Sequence, residues 1–124
     1  MLIDNLLILL EEDALNETAE GGVKRIAKTD RGGLPIVMVV DASSLTGDSE
    51  VDVSIIASDD PDMEESTEVV GLFPTVDSDT GRNVFIRRIH TQKQYIQAIA
   101  TFSGYVTGTV DLLVFAGTGL MNEG

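Results

Sequence analysis

From Val23 onward the chain consists of short apolar or alternating segments, each of strand length and each followed by turn-forming residues. The segment "VDVSIIAS" is the clearest, because Val51, Val53 and Ile55 alternate with Asp52, Ser54 and Ile56. Strict alternation is typical of a strand with one face buried and the other exposed to solvent. No segment after residue 22 has a convincing 3.6-residue period, so we expect no helix there.

Similar strand-length segments recur along the chain, in "VKRIAK", "LPIVMVVDA", "TEVVGLF", "VFIRRIH", "QYIQAIATF" and "TVDLLVFAG". Turn residues separate them at the intervals typical of an all-β sandwich or barrel. The run Ile36–Val40 is almost continuously apolar, which predicts a strand covered on both faces. In "VFIRRIH", Val84, Ile86 and Arg88 are predicted to lie opposite Phe85, Arg87 and Ile89. The sequence therefore predicts an antiparallel all-β domain of about seven or eight strands.

Residues 1–22 are the ambiguous part of the single predicted domain, and residues 23–124 form the predicted sandwich. As a helix, this segment would place Leu2, Leu6, Leu9 and Leu10 on one face; as a strand, "LLILL" would be apolar on both sides. We favour an extended arm or first strand up to about Leu10, with the acidic residues Glu11–Asp13 marking where it leaves the core. Such an apolar segment must be covered, either by its own core or by another subunit.

The same segment does not have the features of a membrane span or a secretory signal. Its apolar run ends at Leu10, short of the about 20 residues that cross a bilayer. Asp4 lies early in it, and no Lys or Arg precedes Lys24, whereas a secretory signal begins with a basic region. We therefore expect it to belong to the folded protein and expect no membrane partner.

Charge further restricts the partners of this chain. Its 124 residues include 21 acidic and 8 basic side chains, for a net charge of −13, and no cysteine. A strongly negative surface does not neutralise a polyanion, so nucleic acid and anionic membranes are disfavoured. The absence of cysteine excludes disulfides, thiolate metal sites and cysteine nucleophiles.

The side-chain chemistry predicts no enzyme and no cofactor. His90 is the only histidine, and it follows a predicted strand without a nucleophile motif nearby. The carboxylates cluster in predicted turns, at Glu11–Asp13, Asp59–Glu65 and Asp77–Asp79, where solvent keeps them ordinary acids rather than a desolvated catalytic pair.

Two acidic loops, Asp59–Glu68 and Asp77–Asn83, have enough carboxylates to suggest cation sites. "DSDTGRN" places Asp77, Asp79, Gly81 and Asn83 at alternate positions, as in a calcium loop. Position twelve of that loop is Arg88 rather than a glutamate, which favours a hairpin turn. "SDDPDMEE" is best interpreted as a solvated charged loop. The sequence predicts no metal site, but it leaves open whether either loop holds cations.

Four segments in order carry a resemblance to a known family: "MLIDNLLILLEEDAL", "GLPIVMVV", "VDVSIIASDD" and "KQYIQAIATFSGYVTGTVDLLVFAG". Together they resemble the small jelly-roll capsid cement (decoration) proteins of tailed bacteriophages, of the Bordetella-phage type. The last segment matches a closing hairpin at Lys93, Tyr95–Thr101, Gly104, Gly108 and Val110–Phe115. The acidic loop Asp59–Glu68 and the trailing "GTGLMNEG" depart from the pattern.

The resemblance implies a β-sandwich of jelly-roll type with a structural role. Copies of the protein would bind the outer surface of an icosahedral shell in the virion and tie neighbouring major capsid proteins together. They would act as a homo-dimer or another small homo-oligomer. A carbohydrate-binding module is the alternative; Tyr95 and Tyr105 are the only tyrosines available to it, and the chain has no Trp.

Two groups of residues are the predicted interface. The first is the apolar N-terminal arm, with Leu2, Ile3, Leu6, Leu7 and Ile8. The second is the basic cluster Arg87, Arg88 and Lys93, which would face an acidic patch on the shell or on a sister copy. The alternative for the basic cluster is an ordinary solvated strand face.

Overall fold

A computed structural model of the chain describes residues 7–26, 33–103 and 107–116, except the side chains of Leu7 and Thr107. Within these ranges the chain forms eleven β-strands and no helix. They are β1 (Leu7–Leu15), β2 (Ala19–Glu20), β3 (Lys24–Arg25), β4 (Leu34–Asp41), β5 (Leu45–Thr46), β6 (Glu50–Ser58), β7 (Glu68–Leu72), β8 (Arg82–Ile89), β9 (Tyr95–Ser103), β10 (Thr107–Gly108) and β11 (Val110–Ala116).

The strands form two antiparallel sheets that pack face to face. The first sheet has the order β1-β11-β4-β8. In the second sheet β9 pairs with β2 and β3 on one side and with β6 on the other, and β7 forms the far edge. The short strands β5 and β10 pair with each other. The predicted antiparallel all-β sandwich is confirmed.

The core lies between the two sheets and is built from alternate residues of each long strand. In β6 the side chains of Val51, Val53 and Ile55 are completely buried, as their alternation with polar residues predicts. The facing positions of the other long strands are also buried: Ile36, Met38 and Val40 in β4, Ile96, Ala98 and Ala100 in β9, and Val110, Leu112 and Val114 in β11. Within the second sheet the small Ala98 and Ala100 pair with the larger Ile55 and Val53.

The first strand continues further than the sequence predicted. β1 runs through Glu11–Asp13 to Leu15 and pairs with β11 along this length, so these acidic residues do not mark its departure from the sheet. The prediction failed because two irregularities in the register change which side chains face the core. The first lets Leu9 and Leu10 both be buried, and the second, near Ala14 (φ 54°), returns Leu15 to the core.

The predicted closing hairpin is also wrong, because β9 and β11 belong to different sheets. Both strands bury one face, so each can complete a separate layer of the sandwich. The connection between them is held by β5 instead: β10 pairs with β5, and Thr109 N donates a hydrogen bond to Ser44 O at 3.3 Å. A Cβ on Gly108 (φ 81°) would lie 1.9 Å from that carbonyl oxygen, which explains the glycine.

Of the predicted strand Val23–Lys28, only β3 is a strand within the described residues. Ile26 N donates a hydrogen bond to Gln94 O at 2.7 Å, which keeps this short segment beside β9. Residues 27 and 28 lie outside the described residues.

Gly21 joins the two sheets where β1 passes close to the segment between β2 and β3. Its N–H donates a hydrogen bond to Ala98 O at 2.8 Å, and a Cβ at this position would lie 1.7 Å from Leu9 O. Backbone therefore approaches backbone here more closely than any side chain would allow.

Replacing Gly21 with Ala should destabilise the protein by about 1–3 kcal/mol, since β1 must move away from the second sheet. The matched control is Gly22→Ala, because a Cβ on Gly22 would meet only the end of the Lys24 side chain, at 3.8 Å. Urea unfolding of both variants gives the comparison, and equal midpoints would contradict the close approach.

Candidate interaction surface

The outer face of the first sheet carries two rows of mainly apolar residues, set by the strand register. In one row Leu113 lies opposite both Glu11 and Val39, and Val39 lies opposite Val84. In the next row Phe115 lies between Ile8 and Val37, and Val37 lies opposite Ile86. We call the side chains that reach solvent in these rows the outer apolar face: Ile8, Val37, Val39, Val84, Ile86 and Leu113.

Exposure of this face is greatest at β8, the edge strand. The side chains of Val84 and Ile86 are 55% and 57% exposed, and Val39 in β4 is also exposed. The prediction that Ile36–Val40 is covered on both faces is therefore wrong, because only the inner residues of β4 pack against the second sheet. Contiguous exposed aliphatic side chains of this kind are typical of protein interaction sites.

One end of the outer apolar face is acidic. The next register positions along the strands are Asp111, Asp41 and Arg82. A shallow groove of about 450 Å³ connects them with the apolar row of Val39, Val84 and Leu113. Four carboxylates, which we call the acidic end, line this groove: Glu11, Asp13, Asp41 and Asp111.

Two of the four carboxylates are already occupied by hydrogen bonds within the protein. Asp41 accepts from Ser43 Oγ at 2.6 Å and from Ser43 N and Arg82 Nε at 3.1 Å. These donors, Ser43 first, lower the pKa of Asp41 below its ordinary value. Asp111 accepts a 2.7 Å hydrogen bond from Ala14 N. Glu11 and Asp13, in contrast, pair with no residue that the structure describes.

Two backbone groups of the edge strand β8 are capped by side chains of the same strand. Val84 N donates to Asn83 Oδ1 at 3.0 Å, and Ile86 O accepts from Arg87 Nη1 at 3.0 Å. Arg87 Nε also donates to Leu72 O at 3.3 Å, which connects β8 to β7 across the open side of the sandwich. Because an unpaired edge strand is a template for further strand pairing, these caps protect β8 from adding another strand.

Removing both caps, in an Asn83→Ala/Arg87→Ala variant, should make the folded protein aggregate through β8. The control is Arg82→Ala, which removes a positive charge from the same strand but no backbone cap. Light scattering and thioflavin fluorescence at equal protein concentration measure the difference. Equal aggregation by the control would mean that lost charge, rather than lost capping, is responsible.

A second exposed apolar pair lies on β7, the edge strand of the second sheet. Val69 and Leu72 are 61% and 63% exposed, opposite Ile56 and Ser54 in the register. Arg87 connects β7 to β8, but Val69 and Leu72 project from the outer face of the second sheet, whereas Val84 and Ile86 project from the outer face of the first. The β7 pair is therefore an apolar patch separate from the outer apolar face.

The acidic loop after β6 is organised by its own hydrogen bonds. Asp60 accepts from Asp62 N at 3.0 Å and from Glu64 N at 3.1 Å, and backbone donors lower its pKa below the ordinary value. Ser58 Oγ donates to Glu65 O at the base of the loop. Within the described ranges, no three acidic or histidine side chains are grouped so as to hold a metal ion.

Acid should loosen this loop. A carboxylate whose pKa is lowered by folding stabilises the fold at higher pH, and that stabilisation is lost as the pH falls below about 4. Amide hydrogen exchange at Asp62 and Glu64 should therefore lose protection in this range, and Asp60→Asn should remove most of the pH dependence. Asp48→Asn, in another turn, is the control; unchanged protection factors of these two wild-type amides between pH 5 and about 3 would contradict this account.

The structure describes only part of the predicted N-terminal interface. Leu2, Ile3 and Leu6 lie outside the described residues, and Leu7 is described only by its backbone. Ile8 does lie on the outer apolar face, at its β1 edge. Their role in an interface stays a prediction.

The three residues of the basic cluster lie at different places on the protein and have different neighbours. Arg87 and Arg88 project from opposite faces of β8, as successive strand residues must. Arg87 donates a hydrogen bond to Leu72 O. Lys93, in the loop before β9, has its Nζ 3.8 Å from Oδ2 of Asp59, which follows β6. Val39, Val84 and Leu113 are not among the predicted interface residues; the signal for Val84 and Leu113 was that β8 and β11 each have apolar residues on both faces.

Comparison with known proteins adds no relative. No protein-family model matches the chain, and no curated protein is significantly similar to it. Among the residues that the structure describes, no helix is long and apolar enough to span a membrane.

Proposed function

We propose that this protein is a capsid cement protein that binds the outer surface of an icosahedral phage shell and ties neighbouring major capsid proteins together. The observation that carries the proposal is the outer apolar face, a contiguous aliphatic surface left exposed on an otherwise strongly anionic chain. A partner that covers this surface removes aliphatic side chains from water, which favours binding. The resemblance of the four sequence segments to cement proteins supplies the identity of the partner.

The strand order supports the jelly-roll part of this proposal. If β2 and β3 are counted together and the short β5 and β10 are left out, eight strands remain. If these strands are numbered 1 to 8 along the chain, their spatial order is 1-8-3-6 in the first sheet and 2-7-4-5 in the second. A double-sheet sandwich of eight strands arranged as two Greek keys is the jelly-roll architecture of many capsid proteins.

The size of the outer apolar face suits a protein that acts in many copies. Two rows across four strands, at about 4.8 Å per strand, cover about 300 Å². A stable pairwise interface uses about 800 Å² on each partner, so this face alone would bind one capsid protein weakly. On a shell, a protein that contacts several subunits at once gains affinity through effective concentration. We therefore infer several modest contacts, with the apolar pair on β7 as a second one.

Replacing both exposed side chains, in a Val84→Thr/Ile86→Thr variant, should weaken binding to shells at least about tenfold, since two exposed aliphatic groups lose their burial. Co-sedimentation with shells assembled without the protein measures binding. The control Val84→Ile/Ile86→Val keeps the surface apolar and should bind as the wild type does.

The reinforcing role itself is tested by heating shells with and without bound protein and following their disassembly. Shells that carry the wild-type protein should withstand a higher temperature. Equal heat stability, or no sedimentation of the wild type with shells, would refute the cement function.

A further inference from the structure

We infer that the groove at the acidic end of the outer apolar face accepts an apolar chain segment that carries a Lys or Arg side chain. The chemistry of this occupant follows from the groove alone. Its assignment to the capsid protein rests on the proposed function.

The floor of the groove selects for an apolar occupant. Val39, Val84 and Leu113 lie in one register row and present branched aliphatic side chains to the groove. Val84 is more than half exposed, so an occupant that covers it gains the free energy of removing apolar surface from water.

The wall of the groove selects for a positive charge. Asp41 is engaged by Ser43 and Arg82, and Asp111 by Ala14 N, whereas the carboxyl groups of Glu11 and Asp13 have no partner among the described residues. A cation placed between them and the apolar floor would be paired by carboxylates on one side. The four carboxylates outnumber Arg82, the one basic side chain of the lining, so an anionic occupant would be repelled.

The occupant is unlike this chain itself. A second copy carries the same net charge of −13, which makes it a poor occupant for a groove lined by four carboxylates. The capped edge of β8 also disfavours strand addition. The segment is therefore expected to lie on the face of the sheet and to bind through its side chains.

Small probes test the groove without any shell. Hexylammonium, 1-hexanol and hexanoate share a similar alkyl chain and differ in charge. Their binding to the full chain can be followed by the amide shifts in ¹H–¹⁵N correlation spectra. Hexylammonium should shift the amides of Val39, Val84 and Leu113 with the highest affinity and hexanoate with the lowest. Equal affinity of all three probes, or shifts elsewhere only, would overturn the inference.

Two variants separate the contributions of the wall and the floor. Glu11→Gln/Asp13→Asn should reduce hexylammonium affinity about fivefold, the usual size for two exposed ion pairs, and leave 1-hexanol unchanged. Val84→Thr should weaken both probes. The matched control Glu17→Gln/Glu20→Gln removes the same charge outside the groove lining, so an equal loss there would attribute the effect to net charge and overturn the inference.

Further measurements distinguish this inference from the proposed function. If wild-type protein binds shells and Glu11→Gln/Asp13→Asn binds them equally well, the cement function stands and the groove is not the contact. If hexylammonium binds as expected but shells do not, the groove stands without that partner. A solution mass that shows self-association abolished by Val84→Thr would make a second copy the occupant and would overturn the assignment.

Discussion

Burial of Ile36, Met38 and Val40 against the second sheet determines which side chains the rest of the molecule presents to solvent. Because side chains alternate along a strand, fixing these three inward places Val37 and Val39 outward. The register of β4 with β11 and β8 then aligns Leu113, Val84 and Ile86 with them. The core and the outer apolar face are therefore two consequences of one register, and a slip by one residue would exchange them.

This coupling explains how much could be predicted from the sequence. The strands and their buried faces followed from alternation, as in β6, where every second side chain is apolar and buried. The exposed face could not be recognised in the same way, because a strand with apolar residues on both sides looks like one covered on both sides. Val39 shows the difference: its neighbours in the sequence are buried, and only the tertiary arrangement leaves it in water.

Other features depended on contacts between residues distant in sequence. The irregularity in β1 that lets both Leu9 and Leu10 be buried arises from pairing with β11, about a hundred residues later. The separation of β9 from β11 depends on which sheet each strand completes, and local turn chemistry does not decide that. The groove combines side chains of β1, β4, β8 and β11, so no contiguous sequence motif predicts it.

The path of the chain also has a mechanical consequence. The backbone passes from one sheet to the other between β1 and β2, β3 and β4, β4 and β6, β7 and β8, β8 and β9, and β9 and β11. The guanidinium of Arg87 adds a non-covalent strap on the open side, from β8 to the carbonyl of Leu72. A tensile load applied to the outward surface of one layer is consequently distributed through several covalent crossings into the other. Layers joined in this way resist shearing apart.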